Sequence, residues 1–341
     1  MGSSKPIHLA LLGTESLKGK ELRKVLETAD LPPHDMEFFD PGVETEYSSL
    51  SRYRGEAKVI QSPRQEFLAA ADLLFLAADG ETNALYGRLA EEEGIPALDI
   101  SLTFNRDPHT TLVVSGVNDH VLREKKFSLI ANPHPAAVLL SHVFHELRSL
   151  QIEKVVAFLL QPVSAYGQEG IDELAGQTLE LLDGASLSKK IFRSQIAFNC
   201  LSQTEPVDRN GFSETEKQIV EEVRRIFQDG EFPLTLSLLQ VPVFFSYTVM
   251  VYLELGKKAS VQILKNTFKD SAFVEVLRPS LDCPASPVAA AGSEKIVVSQ
   301  IKNDQTVANG YWLWGAADNL TRGSALNAVE IARVILEMKT R

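Results

Sequence analysis

The sequence predicts an α/β protein of two domains, the first built on a parallel sheet and the second a separately folded α+β unit. Three observations predict this fold class. Short apolar runs alternate with helix-like stretches over residues 1–130, as in βαβ units. A glycine-bearing turn separates the first strand from the first helix, and the apolar pattern changes after Pro135. The length of 341 residues is that of about two domains.

The elements of the first domain are predicted from buried strands and amphipathic helices. Ile7–Leu12 is predicted to be a strand, and apolar spacing predicts a helix over residues 17–27. A polar stretch, 41–65, separates the second and third strands, and Gly94 closes a helix over residues 83–93. The other strands predicted for this sheet are 36–39, 73–77, 97–100, 112–114 and 127–131.

The turn after the first strand has the position of a dinucleotide-binding loop. Gly13 and Gly19 occupy the outer positions of a G-x-x-G-x-x-G pattern, and Ser16 stands at the middle one. Glu15 adds a carboxylate that would repel phosphates, unless Lys18 reaches the same space and offsets its charge. Asp40, closing the second strand, is placed to accept a ribose 2′-hydroxyl, which favours NAD over NADP. Two hypotheses stay open: a Rossmann-type domain that binds NAD(P), and the same fold without the cofactor.

The pattern after Pro135 is that of an α+β domain with an antiparallel sheet. A long amphipathic helix is predicted over residues 136–150, and a strand over 155–163 leads into the loop 164–167. The further predicted helices are 171–182, Glu214–Phe227 and 325–338, and the further strand-like runs are 234–247, 248–255 and 272–276.

Composition and charge exclude several classes of protein. Hydrophobic residues make up 44% and charged residues 23%, which is typical of a globular protein and excludes a disordered chain. The formal net charge of −11 would repel phosphate backbones and anionic lipid, so neither nucleic acid nor a membrane is predicted as a partner. The two cysteines, Cys200 and Cys283, form no CxxC pair. With no signal-like N-terminus, these features predict a cytoplasmic protein.

Five motifs resemble the aspartate-semialdehyde dehydrogenase family in order and spacing. The most specific is 318–328, which reads DNLTRGSALNA, and weaker support comes from residues 99–104 and 116–118. The other four motifs are ANPHP at 131–135, QPVSAYG at 161–167, IAFN at 196–199 and VPVF at 241–244. The resemblance spans nearly the whole chain.

This resemblance implies a two-domain, NADP-dependent homodimer. In the family a cysteine attacks the acyl carbon, a histidine acts as base, and an arginine and a lysine hold the substrate anions. The resemblance divides the chain into a Rossmann-type NAD(P)-binding domain of residues 1–134 and 319–341, completed by the C-terminal helix, and an α+β substrate and dimerisation domain of the semialdehyde dehydrogenase type, 135–318. It adds Asn319 to the cofactor-binding positions Gly13, Ser16, Gly19 and Asp40.

The chain departs from the family pattern at the reactive positions. The cysteine aligns with Pro135, which suits the first position of a helix but offers no nucleophile. The base histidine aligns with Tyr247, preceded by Ser246 where the family has glycine; a phenol with a pKa of about 10 is a poor base. Of the catalytic set, Gln161 is kept. The family's cations align with Gln240 and Gln218 (substrate arginine and lysine) and with Asn105 (phosphate-binding arginine), next to Arg106.

The sequence therefore predicts a catalytically silent family member, retained as a dimeric binding or scaffolding protein that pairs with itself or with an active paralogue. Two enzyme alternatives stay open. One is an active NAD(P)-dependent semialdehyde dehydrogenase of amino-acid biosynthesis; the other is a different reaction in the same pocket, using His134 or Tyr247. His142 and His145 are assigned to a helix surface, and no metal is predicted because no third or fourth ligand joins them. Cys200 is predicted to be a buried, inert thiol.

Overall fold

The computed structural model describes residues 7–43, 49–64, 70–124, 128–278, 280 and 284–340. The chain divides into two compact units, Met1–His134 with Ser324–Arg341, and Pro135–Gly323. Residues 319–323, which the resemblance assigns to the first domain, lie in the second unit. Phe127, the first residue of the strand predicted over 127–131, lies outside the described residues.

The described part of the first unit holds an eight-stranded sheet of Rossmann type. The strand order is β3-β4-β2-β1-β5-β6-β8-β7, and β3 with β4 forms the antiparallel pair in an otherwise parallel sheet. The strands are β1 Ile7–Leu12, β2 His34–Phe39, β3 Ser49–Tyr53, β4 Glu56–Gln61, β5 Leu73–Leu76, β6 Ala97–Asp99, β7 Thr111–Leu112 and β8 Leu129–Ala131.

Helices cover both faces of this sheet, as a parallel sheet requires. The first three are α1 Leu17–Thr28, α2 Gly80–Glu92 and α3 Val121–Glu124. Along β1, Leu9 and Leu11 pack into one apolar cluster with α1 and the C-terminal helix, whereas Ala10 and Leu12 pack into another with α2. The C-terminal helix thus packs within the core of the first unit.

Strands β3 and β4 lie within the polar stretch 41–65, where no strand is predicted from the sequence. They form an antiparallel hairpin at the edge of the sheet. Leu50 is 71% exposed and Val59 is 45% exposed, so these edge strands lack the continuous apolar runs that mark the central strands. A search of the sequence for buried apolar runs therefore does not detect β3 and β4.

The described part of the second unit holds a six-stranded sheet in the order β10-β9-β11-β14-β13-β12. Its strands are β9 Ile152–Gln161, β10 Leu234–Gln240, β11 Tyr247–Leu255, β12 Val274–Val276, β13 Ile296–Asn303 and β14 Gly310–Ala317. Its helices are α4 Pro135–Leu147, α5 Gly167–Leu182, α6 Glu214–Phe227, α7 Val261–Lys269 and α8 Pro287–Ala290. A π-helical turn, Thr321–Leu326, leads into the C-terminal helix, α9 Asn327–Thr340.

This second sheet is mixed, so the prediction of an antiparallel sheet is wrong. Strand β10 runs parallel to β9, and β12 runs parallel to β13. The chain between β9 and β10 contains α5 and α6, and such a helical crossover returns the chain to the end from which it started. The run predicted over 234–247 is likewise two elements, because β10 ends at Gln240 and β11 begins at Tyr247.

Helix α4 packs against α6 and against α7, and it lies on β9 and β14. Most of α4 is buried, including His142, so the prediction of a surface position for that histidine is wrong. The other face of the sheet carries an apolar row in which Met250 is paired with Phe158 on one side and Trp314 on the other. Phe158 is 42% exposed, so this row remains open within one chain.

Candidate functional site

Three side chains of the second unit meet where strands β9 and β10 end and strand β11 begins. Gln161 ends β9 and Gln240 ends β10, and the register of these parallel strands places the two residues opposite each other. Strand β11 runs antiparallel to β9 and pairs Thr248 with Leu160, so its first residue, Tyr247, lies beside the same strand ends. The sheet topology therefore brings together three positions that the sequence singles out separately.

A chain of hydrogen bonds joins these three side chains. Tyr247 Oη donates to Gln161 Oε1 at 2.8 Å, and Gln161 Nε2 donates to Gln240 Oε1 at 3.0 Å. Gln240 Nε2 donates to the carbonyl oxygens of Gln161 at 2.9 Å and Val241 at 3.2 Å. All three residues are buried, each at most 3% exposed. The buried amides and the phenol thus satisfy one another.

The protonation state of Tyr247 is set by its surroundings. Burial raises the pKa of Tyr247 well above its usual range, and the nearby Tyr166 and Glu205 add to the shift. The phenol therefore stays protonated at neutral pH and acts as a hydrogen-bond donor, not as a base. Tyr166 has its pKa raised by burial as well, and its Oη donates to Thr204 Oγ1 at 2.8 Å.

Asn319 holds two loops beside these strand ends. Its Oδ1 accepts from the N–H of Ser246 at 2.9 Å, and its Nδ2 donates to Ser164 Oγ at 3.1 Å. Asn319 is 3% exposed. The resemblance gives Asn319 a role in cofactor binding; the contacts described for its side chain are these loop contacts within the second unit.

Pro135 is the first residue of α4 and is buried. A Cβ built at Gly323 would lie 2.7 Å from Pro135 Cβ, so the segment around Gly323 approaches the ring as closely as a glycine allows. The preceding residue, His134, has its pKa lowered to about 3, chiefly by burial and further by the charge of Lys18. Its imidazole is therefore neutral at physiological pH.

The glycine loop of the first unit is shaped by internal contacts. A Cβ at Gly13 would overlap the backbone of Ala77 and Ala78, and a Cβ at Gly19 would overlap the carbonyl oxygen of Gly13. Gly13 thus allows the close approach of the segment after β5, and Gly19 allows α1 to approach the turn at Gly13. This role of the two glycines holds whether or not a cofactor binds.

The polar groups of the same loop also have internal partners. Ser16 caps α1, and its Oγ accepts from the N–H of Gly19 at 2.9 Å. Asp40 Oδ2 accepts from the N–H of Glu15 at 2.8 Å, and Asp40 Oδ1 accepts from the N–H of Gly42 at 3.0 Å. The carboxylate of Glu15 is paired with Lys20 at 3.3 Å and with Arg23 at 3.8 Å. Asp40 thus remains the carboxylate that would repel a bound phosphate, and it fits a dinucleotide with a 2′-phosphate least.

The remaining positions that the resemblance assigns to the binding of substrate or phosphate are Asn105, Arg106 and Gln218. Asn105 is buried in the first unit and donates from Nδ2 to the carbonyl oxygen of Asn132 at 3.1 Å, whereas its neighbour Arg106 is exposed. Gln218 lies on α6, where its Nε2 donates to Glu222 Oε1 at 2.8 Å. Gln218 and Gln240 therefore supply no positive charge.

Cys200 is exposed, so the prediction that it is buried is wrong. The segment around it turns outward, since Phe198 has a φ of 57° and is 70% exposed. Thr204 and Glu205 follow in the same region and were not predicted as part of the site. Their contribution depends on tertiary contacts with Tyr166 and Tyr247, which no local sequence pattern reveals.

Within the described ranges, no three His, Cys, Asp or Glu side chains are grouped closely enough to hold a metal ion. Those same ranges contain no helix with the length and apolar content needed to span a bilayer.

Comparison with known proteins identifies the family. A family model described as the semialdehyde dehydrogenase dimerisation domain matches residues 145–322, slightly more than half of the 341-residue chain. The chain belongs to the semialdehyde dehydrogenase family. The match includes Gln161, Gln240, Tyr247 and Asn319, and Pro135 precedes it.

Relatives of known name cover nearly the full length. Aspartate-semialdehyde dehydrogenase 2 of Vibrio cholerae is 28% identical over 335 residues, with 98% of each chain covered. Aspartate-semialdehyde dehydrogenase of Bacillus subtilis is 25% identical over 342 residues, covering 97% of this chain and 98% of the relative.

Solved structures of the family share the fold. Aspartate semialdehyde dehydrogenase II of V. cholerae complexed with ASA superposes with a TM-score of 0.91 at 27% identity, covering 98% of this chain and 99% of the other. The enzyme of Candida albicans with NADP gives a TM-score of 0.70 at 16% identity, covering 98% and 99%, and this likeness concerns the fold alone. The semialdehyde dehydrogenase architecture, a Rossmann-type domain with a dimerisation domain, is thus present in this chain.

Proposed function

We propose that the chain is a cytoplasmic, dimeric and catalytically silent aspartate-semialdehyde dehydrogenase-like protein, retained for binding or scaffolding. The observation that carries this proposal is Pro135 at the first position of α4, where the resemblance places the nucleophilic cysteine. A thiolate at a helix N-terminus is stabilised by the helix dipole and by the N–H groups of the first turn. A proline ring at that position keeps the start of the helix and provides no atom that can attack a carbonyl.

The other reactive positions support the same proposal. Tyr247, at the position of the base, is a buried phenol held protonated by its raised pKa. Gln240 and Gln218, at the positions of the substrate arginine and lysine, forgo charge-assisted hydrogen bonds that contribute about 1.5–3 kcal/mol each. Gln161 is retained, but its side-chain oxygen and nitrogen bond to Tyr247 and Gln240. The high pKa of Tyr247 argues against acid–base catalysis by that phenol, and the low pKa of His134 argues separately against acid–base catalysis by that imidazole.

For the cofactor we propose that the first unit keeps the Rossmann-type fold without a resident dinucleotide. The support is that the N–H groups of Glu15 and Gly19 bond to Asp40 and Ser16, and that the Asp40 carboxylate lies beside the loop. When bound, NAD(P) would supply an acceptor for a hydride. In this proposal, N–H groups of the loop donate to side chains of this chain and not to a pyrophosphate.

For the assembly we propose a homodimer through the open face of the second sheet. The row of Phe158, Met250 and Trp314 on that face is apolar and partly exposed in one chain, which favours burial against a second copy. The sheet belongs to the region that matches the family's dimerisation domain. A heterodimer with an active paralogue would use the same face.

An enzyme assay of the purified full-length chain tests the proposal. Incubated with aspartate semialdehyde, phosphate and either NAD or NADP, the chain is expected to reduce neither cofactor above the rate without protein. Thermal unfolding is expected not to shift with either nucleotide, whereas a ligand at 100-fold excess over its Kd stabilises by about 2.7 kcal/mol. A relative that has the cysteine serves as the positive control in both measurements.

Variants identify the source of any turnover that does appear. Turnover that survives Cys200→Ser and is lost in Tyr247→Phe would overturn the proposal in favour of a different reaction in this pocket. Turnover lost in Cys200→Ser would instead indicate thioester chemistry at a relocated nucleophile. A nucleotide-dependent shift without turnover would refute only the part of the proposal that concerns the cofactor.

A further inference from the structure

A groove of about 920 Å³ lies along the edge of the second sheet that is opposite β10. One wall is formed by α7, on which Gln262, Lys265, Asn266 and Lys269 are spaced at i, i+3, i+4 and i+7 and line the groove together with Phe268. The other wall is formed by residues 274–278, from β12 and the segment after it, and by part of β13. This position separates the groove from the Gln161–Gln240–Tyr247 cluster, which lies at β9, β10 and β11.

The groove runs along the main chain of β12. Five consecutive residues, 274–278, line it, and side chains of a strand alternate between faces, so a groove touched by all five follows the strand edge. Ile296 N donates to Phe273 O and Leu277 N donates to Val298 O, both at 2.9 Å. The odd-numbered positions therefore face β13, and the N–H and C=O of Val276 face outward. No strand within the described ranges pairs with this edge.

The rim of the groove is positively charged. Lys265 and Lys269 lie on α7, Arg278 follows β12 and Lys295 precedes β13, against one acidic lining residue, Glu275. None of these four cations forms an ion pair with a carboxylate among the described residues, whereas Lys154 pairs with Glu254 elsewhere in the unit. On a chain of net charge −11, this is a local site of attraction for anionic groups.

The spacing of the lysines matches an extended peptide. Lys265 and Lys269 are four residues apart on a helix, which is about 6 Å along its axis. Acidic side chains at positions i and i+2 of a strand are about 6.6–6.8 Å apart and lie on one face. A strand added to β12 would thus direct alternate carboxylates towards α7 while its main chain pairs with the outward groups of Val276.

We propose that this groove binds an extended acidic segment of a partner protein, which adds to β12 as a further parallel or antiparallel strand. A small phosphate or carboxylate would use the cations but leave the strand edge unpaired. An extended acidic chain uses both features at once. The groove shares no residue with the Gln161–Gln240–Tyr247 cluster, so its test is independent of whether the chain has enzyme activity.

Fluorescence anisotropy with labelled peptides tests the proposal on the full-length chain. The probe is a capped hexapeptide of alternating glutamate and valine, compared with its glutamine–valine counterpart and with versions N-methylated at alternate residues in either register. The acidic peptide is expected to bind, and the glutamine version to bind about tenfold or more weakly, because its charges are removed. The peptide N-methylated in one of the two registers is expected to bind about tenfold or more weakly than the parent peptide, because it cannot pair with a strand edge.

Charge-reversal variants locate the site. Lys265→Glu with Lys269→Glu is expected to weaken binding of the acidic peptide about tenfold or more. The control, Lys189→Glu with Lys190→Glu, makes the same charge change at two exposed lysines outside the groove and is expected to leave the affinity unchanged. Unfolding curves of both variants establish that each is folded. Hydrogen exchange at the Val276 amide is expected to slow when the acidic peptide is bound.

Three results would overturn the proposal. Equal weakening by the control variant would show that binding follows net charge and not the groove. Equal affinity for both N-methylated registers and the parent peptide would exclude strand addition. Binding of inorganic triphosphate, lost in the Lys265→Glu/Lys269→Glu variant, together with unchanged exchange at Val276 in the presence of peptide, would assign the groove to a small anion instead.

Discussion

Ser246 combines two unfavourable features at one buried position. Its φ is 76°, in the left-handed region that an L-residue occupies at a cost of about 1–2 kcal/mol. Its Oγ is buried and has no hydrogen-bond partner among the described residues. The main chain is nonetheless held in this conformation, because the N–H of Ser246 donates to Asn319 Oδ1. The resemblance places a glycine here, which would relieve both features.

Ser246→Gly is therefore expected to raise the free energy of unfolding by about 1 kcal/mol. Removal of the strain and of the unpaired hydroxyl outweighs the extra freedom of glycine in the unfolded chain, which costs about 0.4–1 kcal/mol. Urea unfolding followed by circular dichroism measures the change. Ser246→Ala serves as the control, since it removes the hydroxyl but keeps the Cβ, and is expected to gain less. A glycine variant less stable than the alanine variant would refute the strain argument.

At the level of elements, α6 is anchored through the residue at its third position. Ser213 and Glu216 form a capping box, in which Ser213 Oγ accepts from the N–H of Glu216 and Glu216 Oε2 accepts from the N–H of Ser213 at 2.7 Å. The other oxygen, Glu216 Oε1, accepts from the N–H of Leu238 in β10 at 2.8 Å. One carboxylate thus starts the helix and attaches it to the sheet.

Glu216→Ala is expected to destabilise the chain more than Ser213→Ala. Loss of the serine cap costs about 1 kcal/mol. Loss of the carboxylate leaves the N–H groups of Ser213 and Leu238 without their partner, which costs about 2–3 kcal/mol. Glu221→Ala, at an exposed position of the same helix, is the matched control and is expected to change stability by less than about 0.5 kcal/mol. Equal effects of the two glutamate variants would contradict this role of Glu216.

The same elements show which parts of the fold the sequence predicts. The observed bounds of β1 and α6 are those predicted, because a buried apolar run and the spacing of apolar residues are local signals. The hairpin of β3 and β4 and the parallel pairing of β10 with β9 were missed. Strand direction and edge pairing depend on contacts between distant segments, which local patterns do not contain.

The site divides in the same way. Gln161, Gln240 and Tyr247 were each identified by their place in a motif. Their hydrogen bonds could not be predicted, because Gln161 and Gln240 are 79 residues apart and meet through strand register. The exposure of Cys200 and the burial of His142 were also missed, since both depend on packing outside their own segments.

For the molecule as a whole, buried histidines couple stability to pH. Burial lowers the pKa of His134 to about 3 and that of His142 well below 6.5, and the charges of Arg322 and His145 add to the shift of His142. His142 stacks on Phe273 with ring centroids 4.6 Å apart, and no described group bonds to its Nε2. Below pH 6.5 the unfolded chain takes up protons that the folded chain does not, so stability falls as the pH decreases.

Each such histidine is expected to contribute a slope of about 1.4 kcal/mol per pH unit well below pH 6.5 and above its folded-state pKa. His142→Leu is expected to make the total slope below pH 6.5 shallower, because it removes one histidine whose pKa is lowered in the folded chain. Urea unfolding at several pH values in this range measures it. His109→Leu, at an exposed position, is the control for the loss of a histidine from the chain. A slope unaltered by His142→Leu would show that this histidine is protonated in the folded chain.

The mutual hydrogen bonds of Gln161, Gln240 and Tyr247 also restrict the routes by which evolution could restore a reactive pocket. Histidine alone at position 247 would withdraw the phenolic donor from Gln161 Oε1, and arginine alone at position 240 would remove the acceptor of Gln161 Nε2. Each single step leaves a buried amide atom unpaired and lowers stability. A lineage that returned to chemistry would have to change these positions together, or first acquire stability elsewhere in the chain.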